Sequence, residues 1–370
     1  MTISTVVWGT GNVGRAAIRA VHAHPDLDLA AVLVADPAKV GRDAGELSGL
    51  GTSLGIAATD DVSAVLGAGH GAVVYAVSGD VRPDAALADL VRCLEAGAVV
   101  VTPSVYALYD PTGAPPEVID PVRAAAKAGG GALFVSGIDP GWGNDVLPVL
   151  LSGLAGTVEQ VRCQEIFDYT TYDQPDAVRF LVGMGQPIAE LPPMVAPGVP
   201  TMVWGGQVRL IARALQVDLD GIEEHVERRP LERTVQTTMG EFTDGTQGAL
   251  RFEVRGMLDG RAAIVIEHVT RIDPQCAPDW PTPTTGEGTH RVVIEGRPRL
   301  QVDVEATDEG GNRAAGGNAT AVGRLVNAIP WLRAAAPGVY DALDVPLSPA
   351  VGKLSAPAGD APPVTNGGRP

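Results

Sequence analysis

Residues 5–24 read TVVWGTGNVGRAAIRAVHAH: an apolar run, then Gly9, Gly11 and Gly14, then Ala, Ile and Val at helical spacing. Glycines at this spacing between a strand and a helix build a dinucleotide grip. The first permits a tight turn, the second lets a pyrophosphate approach the backbone, and the third lets helix and strand pack closely. Free N–H groups at the helix start then hold the anion. Spacing alone is weak in a chain with 46 glycines, where a plain strand-to-helix turn can carry it. Asp36, at the end of the next apolar run and 22 residues beyond Gly14, adds the acid such a site needs. Gly9, Thr10, Gly11, Asn12, Val13 and Gly14 are therefore read as cofactor-binding.

Asp36 accepts hydrogen bonds from ribose hydroxyls, which favours NAD over NADP. The following PAKVGRD places Lys39 and Arg42 nearby, as partners for an extra phosphate or as solvated loop charges. Arg15, just inside the first helix, faces either a phosphate or water. The expected cofactor is NAD or NADP, leaning to NAD.

Outward from this motif, β-branched runs alternate with Ala-rich amphipathic stretches as far as residue 142. That is the pattern of a parallel sheet with crossover helices. Strands are predicted at 3–8, 27–34, 72–77, 98–102 and 132–138, with helices at 83–97 and 115–130. The fold class is α/β: a doubly wound, Rossmann-type parallel sheet over 1–142, followed by a second α+β domain with a mostly antiparallel sheet. This second domain, for substrate and dimerisation, spans 143–312. GALRFEVRGMLDGRAAIVIEHVTRI reads as a hairpin turning at Asp259 and Gly260, and HRVVIEGRPRLQVDVEA as another. PTMVWGGQVRLIARALQV is a helix covering one face of that sheet, whose other face is expected to be partly apolar and to pair two copies into a homodimer. A C-terminal helix at 313–347 returns to the cofactor domain, and 348–370, rich in Pro, Ala and Gly, forms a mobile tail.

Across 370 residues, 27 basic side chains face 44 acidic ones for a net charge of −17, and nothing resembles a basic stripe. Nucleic acid and anionic membranes are poor partners for such a surface; a small-molecule substrate is expected instead. Three cysteines, Cys93, Cys163 and Cys276, stand far apart and suit a reducing compartment. With no basic leader and no apolar run of ~20 residues, a cytoplasmic protein is expected.

In a doubly wound sheet the ligand lies beyond the carboxyl ends of the strands. Val77 and Ser78 follow the third strand and are placed along the nicotinamide ribose. TPSVYALYD supplies Ser104 to hold the nicotinamide end and Tyr106 as a proton donor. In SGIDPGWGND, Asp139 is either an N-terminal cap for the next helix or a catalytic carboxylate. Glu165 and Asp168 read as strand carboxylates pointing to water. His268 is a structural histidine or a base. No metal is expected, since HExxH, CxxC and Asp/His clusters are missing, and no GxSxG elbow suggests a hydrolase.

VVWGTGNVGR, SGIDPGWGND and GGNATAVGRLVNAIP together resemble the dihydrodipicolinate reductase-like superfamily, and within it the NAD(P)H-dependent amine dehydrogenase and 2,4-diaminopentanoate dehydrogenase group. The resemblance implies a nucleotide-binding domain, a substrate domain that supports dimerisation, and a C-terminal helix that brings Asn318 to the cofactor. It also implies reversible hydride transfer between nicotinamide and an imine or amine carbon of a small, largely apolar substrate. Two departures stand out. Members of the amine dehydrogenase group carry a glutamate in the loop after the fourth or fifth strand, where TPSVYALYD has none. Their bend reads Asn-Pro-Gly, against Asp139, Pro140 and Gly141 here, which is closer to diaminopimelate dehydrogenases. No His-His/Lys-rich segment suits dihydrodipicolinate itself. In this reading Asp139 positions or deprotonates the amine while Tyr106 or His268 supplies a proton. The alternatives are a ketone or aldehyde reductase and a non-catalytic dinucleotide sensor.

Overall fold

The computed structural model describes residues 2–79, 82–170, 172, 174–308 and 311–354. Asp80, in the loop after the third strand, and residues 355–370 of the expected tail lie outside the described residues.

The chain opens with β1 (Ile3–Trp8), α1 (Asn12–His22), β2 (Leu27–Leu33), α2 (Ala44–Ser48), α3 (Val62–Gly67), β3 (Ala72–Tyr75), α4 (Pro83–Glu95), β4 (Val99–Thr102), α5 (Pro116–Gly129) and β5 (Ala132–Val135). There follow α6 (Val146–Ser152), β6 (Thr157–Asp168), α7 (Val199–Leu215), β7 (Gly221–Pro230), β8 (Val235–Thr237), β9 (Gly240–Phe242), β10 (Gln247–Leu258), β11 (Arg261–Arg271), β12 (Gly288–Arg297) and β13 (Leu300–Val304). The described chain closes with α8 (Arg313–Ala334) and β14 (Gly338–Tyr340).

The first sheet is all parallel, in the order β14-β5-β4-β3-β1-β2. Every residue of β3, β4 and β5 is buried, as strands covered on both faces require. Both β3 and β5 end earlier than their apolar runs suggest, at Tyr75 and Val135. The residues beyond them have left the ladder to form the loops that build the site. The sixth strand, β14, was not anticipated; it pairs with β5 only after α8 has crossed back over the sheet. Val322, Leu325, Val326, Ile329 and Leu332 of α8 share a core cluster with Ala17, Ile18 and Val21 of α1 and with Val74, Val101 and Phe134 of the sheet.

The second sheet runs β13-β12-β6-β11-β10-β7, antiparallel except for the parallel pair β6 and β11. Its main hairpin turns at Asp259 and Gly260, whose φ angles of 51° and 73° are those of a two-residue turn matched to strand twist. Leu250, Phe252 and Val254 of β10 meet Trp204, Val208 and Ile211 of α7 in one core.

The expectation of a partly apolar outer face is corrected. By pleat alternation, Arg162 and Gln164 of β6, Glu267 of β11, and Arg251, Glu253 and Arg255 of β10 lie opposite α7. They are tied by ion pairs, and none of the exposed large apolar side chains among the described residues belongs to a strand of this sheet. The arginine stems cover the aliphatic residues between them. No helix of the described residues is long and apolar enough to cross a membrane.

Candidate active site

The glycine loop takes the form its spacing dictates. Gly9 has φ +111°, and a Cβ there would meet the Ala76 carbonyl oxygen at 2.9 Å. A Cβ on Gly14 would stand 2.1 Å from the Gly9 carbonyl oxygen, so the helix lies against the loop only because residue 14 is glycine. Gly11, by contrast, caps α1 with no side-chain bond and faces open space. Beyond it lies a cleft of about 640 Å³, floored by the glycine loop and closed by Ser78 and Gly79 after β3 and by Pro103 and Ser104 after β4. The volume is typical of cofactor sites, and the first-turn N–H groups of α1 are not taken by a cap: the residues present fit a dinucleotide.

Asp36 and Lys39 line the same cleft. Asp36 Oδ1 accepts the Ala38 N–H at 2.9 Å, and Lys39 Nζ donates to Thr10 Oγ1 at 3.3 Å. Thr10, Asn12, Val13, Val77 and Asn318 also face it. The Ser104 hydroxyl donates to the Val77 carbonyl, clasping two of the loops. Two arginines take the solvent alternative in this structure. Arg42 is bound to Glu46 at 2.8 Å and Arg15 stands exposed on α1, and neither lines the cleft.

A second cavity of about 260 Å³ adjoins the first, and Tyr106, Asp139, Tyr172 and Asn318 line both. Its floor is a single cross-strand row. His290 of β12 pairs with Glu165 of β6, Glu165 with His268 of β11, and His268 with Phe252 of β10. Register thus places on one face, side by side, residues far apart in sequence. Asp139 reaches this row from the loop after β5. Its Oδ1 accepts three N–H bonds, from Asn144 Nδ2 at 2.7 Å, Trp204 Nε1 at 2.7 Å and His268 Nε2 at 3.1 Å. No hydrogen bond reaches Oδ2 among the described residues. The capping alternative fails, because the helix is capped by Asp145, whose side chain accepts the Val146 N–H.

Electrostatics within the row are set by enclosure and pairing. Burial works against a charge on His268, yet the carboxylates of Asp139 and Glu165, one toward each ring nitrogen, outweigh it and raise the imidazolium pKa to about 10. Burial pushes Glu165 upward, but the His268 imidazolium overcomes it and holds the carboxyl well below the ordinary range. Tyr172 is driven up to about 12, first by burial and then by the Glu165 charge, so its phenol keeps its proton. The His268 ring stacks on Phe252 with centroids 4.7 Å apart and 6° between planes. Packing and both carboxylates therefore fix its orientation.

The row corrects the reading of Glu165, which lies in the cavity rather than in water. Its signal was present: Glu165 has the parity of Val161 and Cys163, which face the core. His290, Trp204 and Asn144 were missed altogether. Asp168, also read as pointing to water, is half-buried instead, outside the cavity, and takes the Thr170 N–H at 2.9 Å. No metal motif is written in the sequence, yet Asp139, Glu165 and His290 each bring a ligand atom within 4.8 Å of the others.

A dinucleotide cleft at the carboxyl ends of a parallel sheet, opening into a polar cavity on a second domain, defines an NAD(P)-dependent oxidoreductase. Comparison with known families agrees. Residues 3–103 match the profile of the dihydrodipicolinate reductase N-terminus, and residues 144–356 that of the 2,4-diaminopentanoate dehydrogenase C-terminal domain. The chain is 68% identical over 354 residues to an amine dehydrogenase of Streptomyces virginiae, covering 95% of this chain and 98% of that one. It belongs to the amine dehydrogenase and 2,4-diaminopentanoate dehydrogenase group of dihydrodipicolinate reductase-like oxidoreductases. Among solved structures, the amine dehydrogenase from Mycobacterium smegmatis shares the fold, with a TM-score of 0.74 at 23% identity over 94% of this chain and 97% of that one. A probable dehydrogenase from Thermotoga maritima gives a TM-score of 0.54 at 14% identity, over 92% of each chain.

Proposed function

We propose that the protein interconverts a small amine with the corresponding carbonyl compound and ammonia, using NAD(P) as hydride carrier. The observation that carries this reading is Asp139, a carboxylate with one spoken-for oxygen and one open oxygen at the junction of the two cavities. When bound, nicotinamide supplies or takes the hydride at the substrate carbon. In the reductive direction a carbonyl, an ammonium ion, one hydride and one further proton give a protonated amine and water. Asp139 Oδ2 takes a proton from ammonium, freeing the nitrogen lone pair to attack the carbonyl carbon. Tyr106, which lines both cavities, gives a proton to the oxygen as its π bond opens. With a carboxylate on each nitrogen, His268 acts as a positioning residue that holds Asp139 in place.

At about 260 Å³, with walls from Tyr106, Phe167, Tyr169, Tyr172 and Trp204, the substrate cavity suits a small, largely apolar skeleton bearing one polar centre. NADH and NADPH oxidation over a panel of small ketones and aldehydes, with and without ammonia, tests the reading. Ammonia-dependent oxidation supports it. Oxidation that proceeds equally without ammonia assigns carbonyl reduction instead, and no oxidation with any compound assigns a binding role.

A further inference from the structure

We propose that Glu165 and His290 form the nitrogen-binding subsite of the substrate cavity, holding ammonium, or the ammonium group of the amine, against Asp139. The proposal rests on the amine reading above and names the groups that would take its nitrogen.

The first argument is charge. Two carboxylates, Asp139 and Glu165, stand one at each ring nitrogen of a single imidazolium, His268, which balances only one of them. Both acids are enclosed, with side chains 2% and 15% exposed. A buried surplus charge is costly unless a counter-charge joins it, so the cavity favours a cation. The second argument is geometry. His290 Nε2 is buried, with the side chain only 7% exposed, and among the described residues it has no hydrogen bond. It stands 3.4 Å from Glu165 Oε2 without the alignment of a bond. In the tautomer protonated at Nδ1, Nε2 offers a lone pair beside two carboxylates. One atom from each of the three residues lies within 4.8 Å of the others, a spacing that a tetrahedral N–H donor can bridge. The third argument is the walls. Tyr169 and Tyr172 stack on each other with centroids 4.6 Å apart and line the same cavity, an aromatic wall beside the two carboxylates.

The division of labour follows from protonation. Held well below the ordinary carboxylate range, Glu165 stays an anion throughout and serves as a fixed anchor, leaving proton transfer to Asp139. The loop after β4 offers no rival: Asp110, its carboxylate, is locked to Arg209 at 2.7 Å. A strand of the second domain thus supplies the acid that the loop lacks.

The test uses the full chain saturated with NADH, in the presence of a metal chelator, and compares ammonium chloride with potassium chloride at equal ionic strength. Ammonium is expected to raise the melting temperature in a saturable way where potassium does not. Glu165→Gln should raise the half-saturating ammonium concentration at least tenfold with NADH affinity intact, and Glu165→Asp should fall between. In turnover, the same variants should raise KM for ammonia far more than KM for the carbonyl substrate. An ammonium effect no greater than that of potassium in the unaltered protein overturns the subsite, and so does an unchanged KM for ammonia in Glu165→Gln. Should ammonia-dependent turnover be missing in the unaltered protein, the amine reading falls, while the ammonium binding result still decides the subsite by itself.

Discussion

Strands β6 and β11 carry a charge cluster on each face. Away from α7, Arg162 and Arg251 alternate with Glu253 and Glu267 in a closed ring: Arg162 to Glu253 at 2.8 Å, Arg251 to Glu267 at 2.7 Å, Arg251 to Glu253 at 3.0 Å, and Arg162 to Glu267 completing it. Toward α7, Glu165, three residues along β6 from Arg162, and His268, next to Glu267 on β11, join Asp139 and His290 at a cavity. The outer ring balances two cations against two anions and uses arginine, which does not release its proton. The inner cluster sets two carboxylates about one imidazolium, so its cation is a histidine. A matched set of permanent charges holds a sheet together, whereas an unmatched set with a titratable member has an open valence for a ligand.

The comparison can be broken at four points. Glu267→Gln should have the largest effect on stability, about 3 kcal/mol, because it leaves two arginine head groups short of a buried partner. Denaturant unfolding measures it, and unchanged turnover in the folded protein confirms that the outer ring is structural. Asp139→Asn should do the reverse. Its Oδ1 can still accept the three N–H bonds, so melting should shift little, while turnover falls by about 100-fold for want of a proton acceptor. Full activity in that variant would move the catalytic role to Tyr106.

A third effect depends on pH. His268 has its pKa raised from 6.5 to about 10 on folding, so its stabilisation is complete below pH 6.5 and is lost as pH rises toward 10. Glu165, lowered from 4.5, contributes above that value and fades as the solution becomes more acid. The stability gap between the unaltered protein and His268→Gln should therefore be widest between pH 4.5 and 6.5 and narrow toward pH 10. The gap for Glu267→Gln should stay flat from pH 6.5 to 10, since its arginine partners keep their charge. Equal pH slopes for the two variants would erase the distinction between the faces. Smallest of all, Arg251→Lys keeps the charge but loses the planar fork, and should cost about 1 kcal/mol in unfolding experiments without touching kinetics.

Local signals were legible in the sequence, and register was not. The glycine loop, the alternation of strand and helix, and the Asp259–Gly260 turn each declare themselves within a few residues, because their causes are steric and local. The cleft around Ser78, Ser104 and Asp36 follows from them. The inner cluster depends on how β12, β6, β11 and β10 align, and nothing near His290 announces that it will stand beside Glu165. Parity alone could have placed Glu165 on the core face with Val161 and Cys163. SGIDPGWGND holds two aspartates, and which of them caps the helix is decided by the bend: Asp145 does so, and Asp139 is released to the cavity. Arg15, beside the glycine loop in sequence, and Arg42, six residues beyond Asp36, each had two readings, and the cleft is lined by neither.

The late return of β14 gives the first sheet an unusual relation to the order of synthesis. Its edge at β5 is completed by Gly338–Tyr340, and its core by α8, while every residue of the second sheet is made in between. Topologically the second domain is an insertion within the first. A nascent chain that has emerged only to residue 142 holds five strands, with the β5 edge still unpaired and an apolar face awaiting Val322, Leu325 and Ile329. The cofactor domain is thus a unit of architecture without being a unit of biogenesis: the inserted domain can close first, and the nucleotide fold is sealed only once α8 and β14 have been made.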